Sequence, residues 1–89
     1  MLSSKQRATL RAEANGLPAI FNIGKATITP EFTGAVSDAL AARELIKINI
    51  LQNCSLEPKE AASIISERTN SEIVQIIGRK FVLYKKNEG

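Results

Sequence analysis

Eighty-nine residues with 44% apolar content make one small domain and leave no room for a second core or for a disordered chain. Twelve Lys and Arg against nine Asp and Glu give a net charge of +3, a modestly basic balance that by itself identifies no partner. The chain has no histidine and one cysteine, Cys54, which excludes a His-based triad, an imidazole base, a His-containing metal site and an internal disulfide, and fits a reducing compartment.

Ser3 and Gln6 have the spacing of a capping box and open a helix anchored by Leu10, with Ala8, Ala12 and Ala14 in support. Arg7 and Arg11 are four apart and share a face, with Lys5 near it. Asn15-Gly16 is a helix-stop signal, and Leu17-Pro18 leads into a short strand from Ala19 to Ile23. Residues 24–28 form a loop. Thr29-Pro30-Glu31 then starts a second helix with a cap, a proline at the first position and an acid in the first turn. Phe32, Val36, Ala39 and Leu40, with Ala35, give it one apolar face, and Gly34 inside it invites a close backbone approach.

Ile46, Ile48 and Ile50 alternate with Lys47 and Asn49, which predicts a strand from Leu45 to Leu51 with one buried and one wetter face. A polar loop from Gln52 to Leu56 precedes a third helix that begins at Glu57-Pro58. Its stripe is Ala61, Ala62, Ile64 and Ile65, and it stops near Asn70. Ile73 to Ile77 and Lys80 to Lys85 form a hairpin about Gly78, which supplies the positive φ of a tight turn. Both arms are apolar nearly throughout, a pattern of strands buried on both faces or central in a sheet. The order α-β-α-β-α-β-β predicts an α/β domain over residues 1–86 with a four-stranded mixed sheet, followed by a short tail at 87–89.

Positive charge gathers at both ends of the chain. Lys5, Arg7, Arg11 and Lys25 in the first third, and Arg79, Lys80, Lys85 and Lys86 in the last, bracket a middle dominated by acids. If the ends meet in space, one face is basic. Two of the carboxylates an enzyme could use, Glu31 and Glu44, sit at a helix start and beside Arg43, where capping and ion pairing explain them. No nucleophile–base pair is present, so a non-enzyme without metal, cofactor or small-molecule substrate is expected. No apolar stretch approaches the ~20 residues that span a bilayer. Ser3, Ser4, Lys5 and Arg7 interrupt any signal-peptide core, so a cytoplasmic chain with no membrane partner is expected.

Four blocks in order resemble the CRM domain in its single-domain bacterial YhbY-like form. They are Leu2-Ser3-Ser4-Lys5-Gln6-Arg7 with Leu10-Arg11; Ile23-Gly24-Lys25 followed by Ile28-Thr29; Ala39-Leu40 with Arg43-Glu44-Leu45-Ile46-Lys47; and Gln75-Ile76-Ile77-Gly78-Arg79-Lys80-Phe81-Val82-Leu83-Tyr84. The resemblance implies an RNA-binding domain related in fold to the C-terminal domain of bacterial initiation factor three. It also implies association with the ribosomal RNA of large-subunit precursors; multi-domain organellar relatives help group II introns splice. The family's loop before the second helix is usually Gly-x-x-Gly, compared with the phosphate clamp of KH domains. Here it reads Gly24-Lys25-Ala26-Thr27, so Thr27 replaces the second glycine and offers a hydroxyl in place of free positive φ.

The RNA-binding residues expected on these grounds are Lys5, Arg7, Arg11, Gly24, Lys25, Thr27, Arg79 and Lys80. Gly24-Lys25 stands before a helix start whose open N–H groups suit a phosphate. Lys85 and Lys86 are expected to be loose and to add general attraction only. Tyr84 is expected to pack at the sheet end, and with aromatics at 4% a base-stacking platform is not expected. The expected state is a monomer. The competing reading is a protein-interaction module that docks on a ribosomal protein or self-associates through a sheet edge.

Overall fold

A computed structural model describes residues 2–25 and 28–86. The chain runs α1 (Ser4–Ala14), β1 (Phe21–Ile23), α2 (Pro30–Arg43), β2 (Leu45–Ile50), α3 (Pro58–Thr69), β3 (Glu72–Ile77) and β4 (Lys80–Tyr84). The predicted α/β order and four-stranded mixed sheet are both present. The expected tail at 87–89 lies outside the described residues.

The sheet order is β1-β2-β4-β3. β1 and β2 are parallel, and β4 pairs antiparallel with both β2 and β3. The last strand of the chain is therefore inserted between the two that α3 connects. This separates the two arms of the hairpin in burial. β4 is central, with Phe81, Val82 and Leu83 all buried, while β3 is an edge whose Ile76 and Ile77 are 38% and 58% exposed. The apolar pattern that suits a central strand is thus met by β4 alone.

The two faces of the sheet have separate cores. Ile46, Ile48 and Ile50 of β2 and Phe81 and Leu83 of β4 meet Val36 and Leu40 of α2 and Ala61, Ala62 and Ile65 of α3. On the opposite face Val82 and Val74 pack on Ala14 and Leu10 of α1, with Leu45 and Tyr84 beside them. A bulge between Ile73 and Gln75 adds Val74 to this second cluster.

Local signals act as their chemistry dictates. The Ser3 hydroxyl accepts from the Gln6 N–H at 3.1 Å, and the Gln6 side chain accepts from the Ser3 N–H at 2.9 Å. Thr29 caps α2 by accepting from the Phe32 N–H. Asn70 ends α3 in the left-handed conformation, with φ 56 and ψ 45. Gly78, at φ 57, is the first of the two hairpin turn residues, and Arg79 after it has no positive φ, the pattern of a type II′ turn.

The stop signal at Asn15-Gly16 ends α1 as expected, with Asn15 as its C-cap in right-handed conformation, φ −58 and ψ −29. Two expectations need correction. Gly34 permits no close approach: a methyl group there would meet nothing within 4 Å. Lys85 is held rather than loose, its main-chain N–H donating to the Glu44 carbonyl at 2.9 Å and its ammonium to the Thr69 carbonyl at 3.1 Å. Among the described residues no helix is long and apolar enough to cross a membrane.

Candidate nucleic-acid interface

Side chains opposite one another in a sheet register share a face. Lys47 of β2 faces Val82 of β4, which faces Gln75 of β3. One step along, Asn22 of β1, Asn49 of β2, Lys80 of β4 and Ile77 of β3 form a row across all four strands. Because Val82 is in the cluster under α1, both rows lie on the α1 side of the sheet. The helix covers Leu45, Tyr84 and Val82 but leaves a shallow hollow lined by Lys47, Gln75, Ile77, Lys80 and Val82. Among the described residues neither lysine is paired with a carboxylate. Their positions are diagonal neighbours, about 7–8 Å apart on such a ladder.

α1 brings its own cations to this side. Arg7 falls on the sheet-facing stripe with Leu10 and Ala14 and is half-buried, and Arg11, one turn on, is exposed. Lys5 is set apart from them. Two residues before Arg7 is about 200° of helical rotation, and Lys5 lines a different groove, with Leu2, Gln6, Thr9, Leu10, Glu13 and Tyr84. The three cations of this helix therefore divide between two flanks.

The remaining positions meet at the end of β2. The Leu51 N–H donates to the Ile23 carbonyl at 2.9 Å, and a methyl group on Gly24 would lie 3.4 Å from the Leu51 side chain. Lys25 next to it is exposed. From the hairpin, the Arg79 Nε donates to the Ile50 carbonyl at 3.0 Å and its terminal nitrogen to the Leu51 carbonyl at 2.8 Å, while the Ile50 N–H donates to the Arg79 carbonyl at 2.7 Å. Arg79 and Gly24 thus both border Leu51, with Lys25 next in the chain. The Arg79 guanidinium spends two donor groups holding the hairpin tip to β2, which makes it a fastener first and a free cation second. Thr27 lies outside the described residues.

The start of α2 offers an anion less than its sequence promises. Pro30 has no N–H, the Phe32 N–H is taken by Thr29 Oγ1, and the Thr33 N–H by the Thr29 carbonyl. The other main-chain N–H of the first turn belongs to Glu31, an acidic residue. A phosphate at this loop would be met by Lys25 far more than by helix-start amides.

Lys47 escaped sequence reasoning as a site residue. Its signal was present: a cation on the wet face of an alternating strand. What the sequence could not show was that α1 would leave this part of the face open. The opposite side of the molecule differs in charge. α2, α3 and their caps carry Arg43, Lys59 and Arg68 against Glu31, Asp38, Glu44, Glu57, Glu60 and Glu67. Cations outnumber acids on the α1 side, where Glu13 and Glu72 also lie, and acids outnumber cations on the α2/α3 side, a bias that suits a surface meeting a polyanion.

The model of the CRS1 / YhbY (CRM) domain matches residues 2–85. The chain is 39% identical over 88 residues to "Probable RNA-binding protein YqeI" of Bacillus subtilis (strain 168), covering 99% of this chain and 92% of the relative. The solution structure of the hypothetical protein SAV1595 from Staphylococcus aureus, described as a candidate RNA-binding protein, superposes with a TM-score of 0.83 at 42% identity, over 100% of this chain and 93% of that one.

Proposed function

Because this chain belongs to the CRS1 / YhbY (CRM) domain family, we propose that it binds RNA through the α1 side of its sheet and, by doing so, assists assembly of the large ribosomal subunit from its precursor. The observation that carries the reading is the sorting of charge between the two sides of one sheet. Arg7, Arg11, Lys47 and Lys80 belong to the α1 side, opposite the acidic helices, and Lys25 adds a cation in the loop beside the end of β2. The relative named "Probable RNA-binding protein YqeI" supports RNA as the ligand.

The role is non-catalytic. Cations displace counterions from phosphates, and the rigid sheet fixes their spacing, so affinity comes with steep salt dependence. Lys25 and Thr27 take the phosphate contacts of the loop, with Thr27 supplying a hydroxyl in place of the family's glycine. The chain works as a cytoplasmic monomer that engages ribosomal RNA of the precursor particle.

A titration of large-subunit ribosomal RNA fragments tests the binding. Arg7→Ala, Arg11→Ala and Lys25→Ala together should lower the magnitude of the logarithmic salt slope by about 0.7–0.9 for each phosphate no longer neutralised. Co-sedimentation with large-subunit precursors, and crosslinked sites within their RNA, test the assembly role. Weak binding at low salt that ignores all three substitutions would overturn the first, and absence from precursor fractions the second. One observation favours a protein-docking reading: Leu51, Ile76 and Ile77 are exposed apolar side chains at one end of the sheet. Salt-insensitive capture of a ribosomal protein in the absence of RNA would support that reading instead.

A further inference from the structure

The row Asn22–Asn49–Lys80–Ile77 contains a feature that phosphate binding does not use. The Asn49 side-chain Nδ2 donates to the Asn22 Oδ1 at 3.1 Å, across the parallel β1/β2 register. Each amide has a donor group and an acceptor atom. Their mutual bond uses one N–H and one of the two lone pairs on the accepting oxygen, so the exposed Asn22 amide still has an N–H and an open lone pair on neighbouring atoms, held in orientation by Asn49. That holds whichever of the two amides is the donor. Asn22 is exposed and Asn49 half-buried, so the pair is fixed by the ladder and open to solvent.

We infer that this amide pair holds the Watson–Crick edge of an unpaired nucleotide, making the open sheet face a reader of single-stranded or looped RNA. The inference rests on the RNA-binding reading above and adds the class of RNA. Every nucleobase carries an N–H donor next to an acceptor on its pairing edge: N6–H and N1 in adenine, N1–H and O6 in guanine, N4–H and N3 in cytosine, N3–H and O4 in uracil. A fixed donor–acceptor pair therefore complements all four edges, but only when the edge is not already paired. The surroundings complete the fit. Lys80 is the register neighbour of Asn49, and Lys47 is two residues along the same strand, placed for the phosphates on either side of the base. Ile77, 58% exposed at the end of the row, gives an apolar contact for the next base. No aromatic side chain shares either row, so hydrogen bonding rather than stacking selects the ligand. Selection is for strandedness and not for base identity.

The test measures binding of the full chain to three RNAs of equal phosphate number: an unstructured strand, a hairpin with a wide loop, and a blunt duplex. The strand and the loop should bind about tenfold more tightly than the duplex, the discrimination of one good bidentate contact. Asn22→Ala with Asn49→Ala should bring that ratio to about one. Circular dichroism melts confirm that the variant is folded, and the strand-compatible Asn49→Val serves if it is not. Equal binding of strand and duplex by the unmodified protein, or a ratio unchanged in a folded variant, overturns this inference while RNA binding stands. Failure to bind any of the three overturns the RNA-binding reading itself.

Discussion

Gly34 and Gly78 lie in open surroundings but differ in backbone, and this predicts opposite outcomes for the same substitution. Neither would bring a methyl group within 4 Å of another atom. Gly34 is in the interior of α2, so Gly34→Ala should stabilise the protein by about 0.5–1 kcal/mol through reduced unfolded-state freedom. Gly78 holds φ 57, so Gly78→Ala should destabilise by about 1–2 kcal/mol. Paired denaturant melts check both signs. Arg79 gives a third measure at this scale. Arg79→Ala removes two charge-assisted bonds to the Ile50 and Leu51 carbonyls and should cost about 1 kcal/mol, less than buried bonds of this kind because water reaches the tip. Stability of the isolated protein should fall before any RNA is added, which separates a fastener from a simple ligand contact. An unchanged midpoint would make Arg79 a free cation after all. Sequence reading placed Arg79 at the tip correctly. It could not see the guanidinium turned back onto β2, because the partner carbonyls are main-chain atoms that leave no trace in side-chain identity.

Helix starts were the most legible elements. Ser3 with Gln6, and Thr29 with Pro30, are local chemistry, and local chemistry is written in adjacent residues. Thr29→Ala should therefore destabilise the protein by about 1 kcal/mol, read from its thermal or urea midpoint. It should also free the Phe32 N–H. Strand placement was less legible. The apolar arms of the hairpin look alike in composition, yet β4 lies inside the sheet and β3 at its edge. Which arm enters the gap is decided by non-local pairing with β2, to which no short window of sequence refers. Much the same limit hid the open face: Lys47 and Asn49 announce a wet side, but the reach of α1 across it depends on packing of Leu10 and Ala14 against Val82. Among the expected cations, Arg7 and Arg11 sit on α1, Lys25 and Arg79 lie by the end of β2, and Lys5 is diverted to another flank by the helical period.

Across the whole molecule, the sheet acts as a divider of charge, and this makes a control as informative as a loss. Lys47→Ala with Lys80→Ala should reduce the magnitude of the logarithmic salt slope for single-stranded RNA by about 1.4. Lys59→Ala with Arg68→Ala, the same change in net charge placed on α3, should leave that slope unaltered. Equal effects of the two pairs would mean that total charge, and not its side of the sheet, governs association.

The insertion of β4 between β2 and β3 also constrains when the protein can take shape. Until residues 80–84 are available, β2 lacks its antiparallel neighbour, β3 has nothing to pair with, and Val82 cannot seat α1. Most of the sheet's pairing therefore waits for the strand that follows all the other described elements. A growing chain that has not yet released residues 80–84 would hold its helices without their floor. The binding surface would come into being only once β4 has emerged, in a single step that completes the fold and the site together.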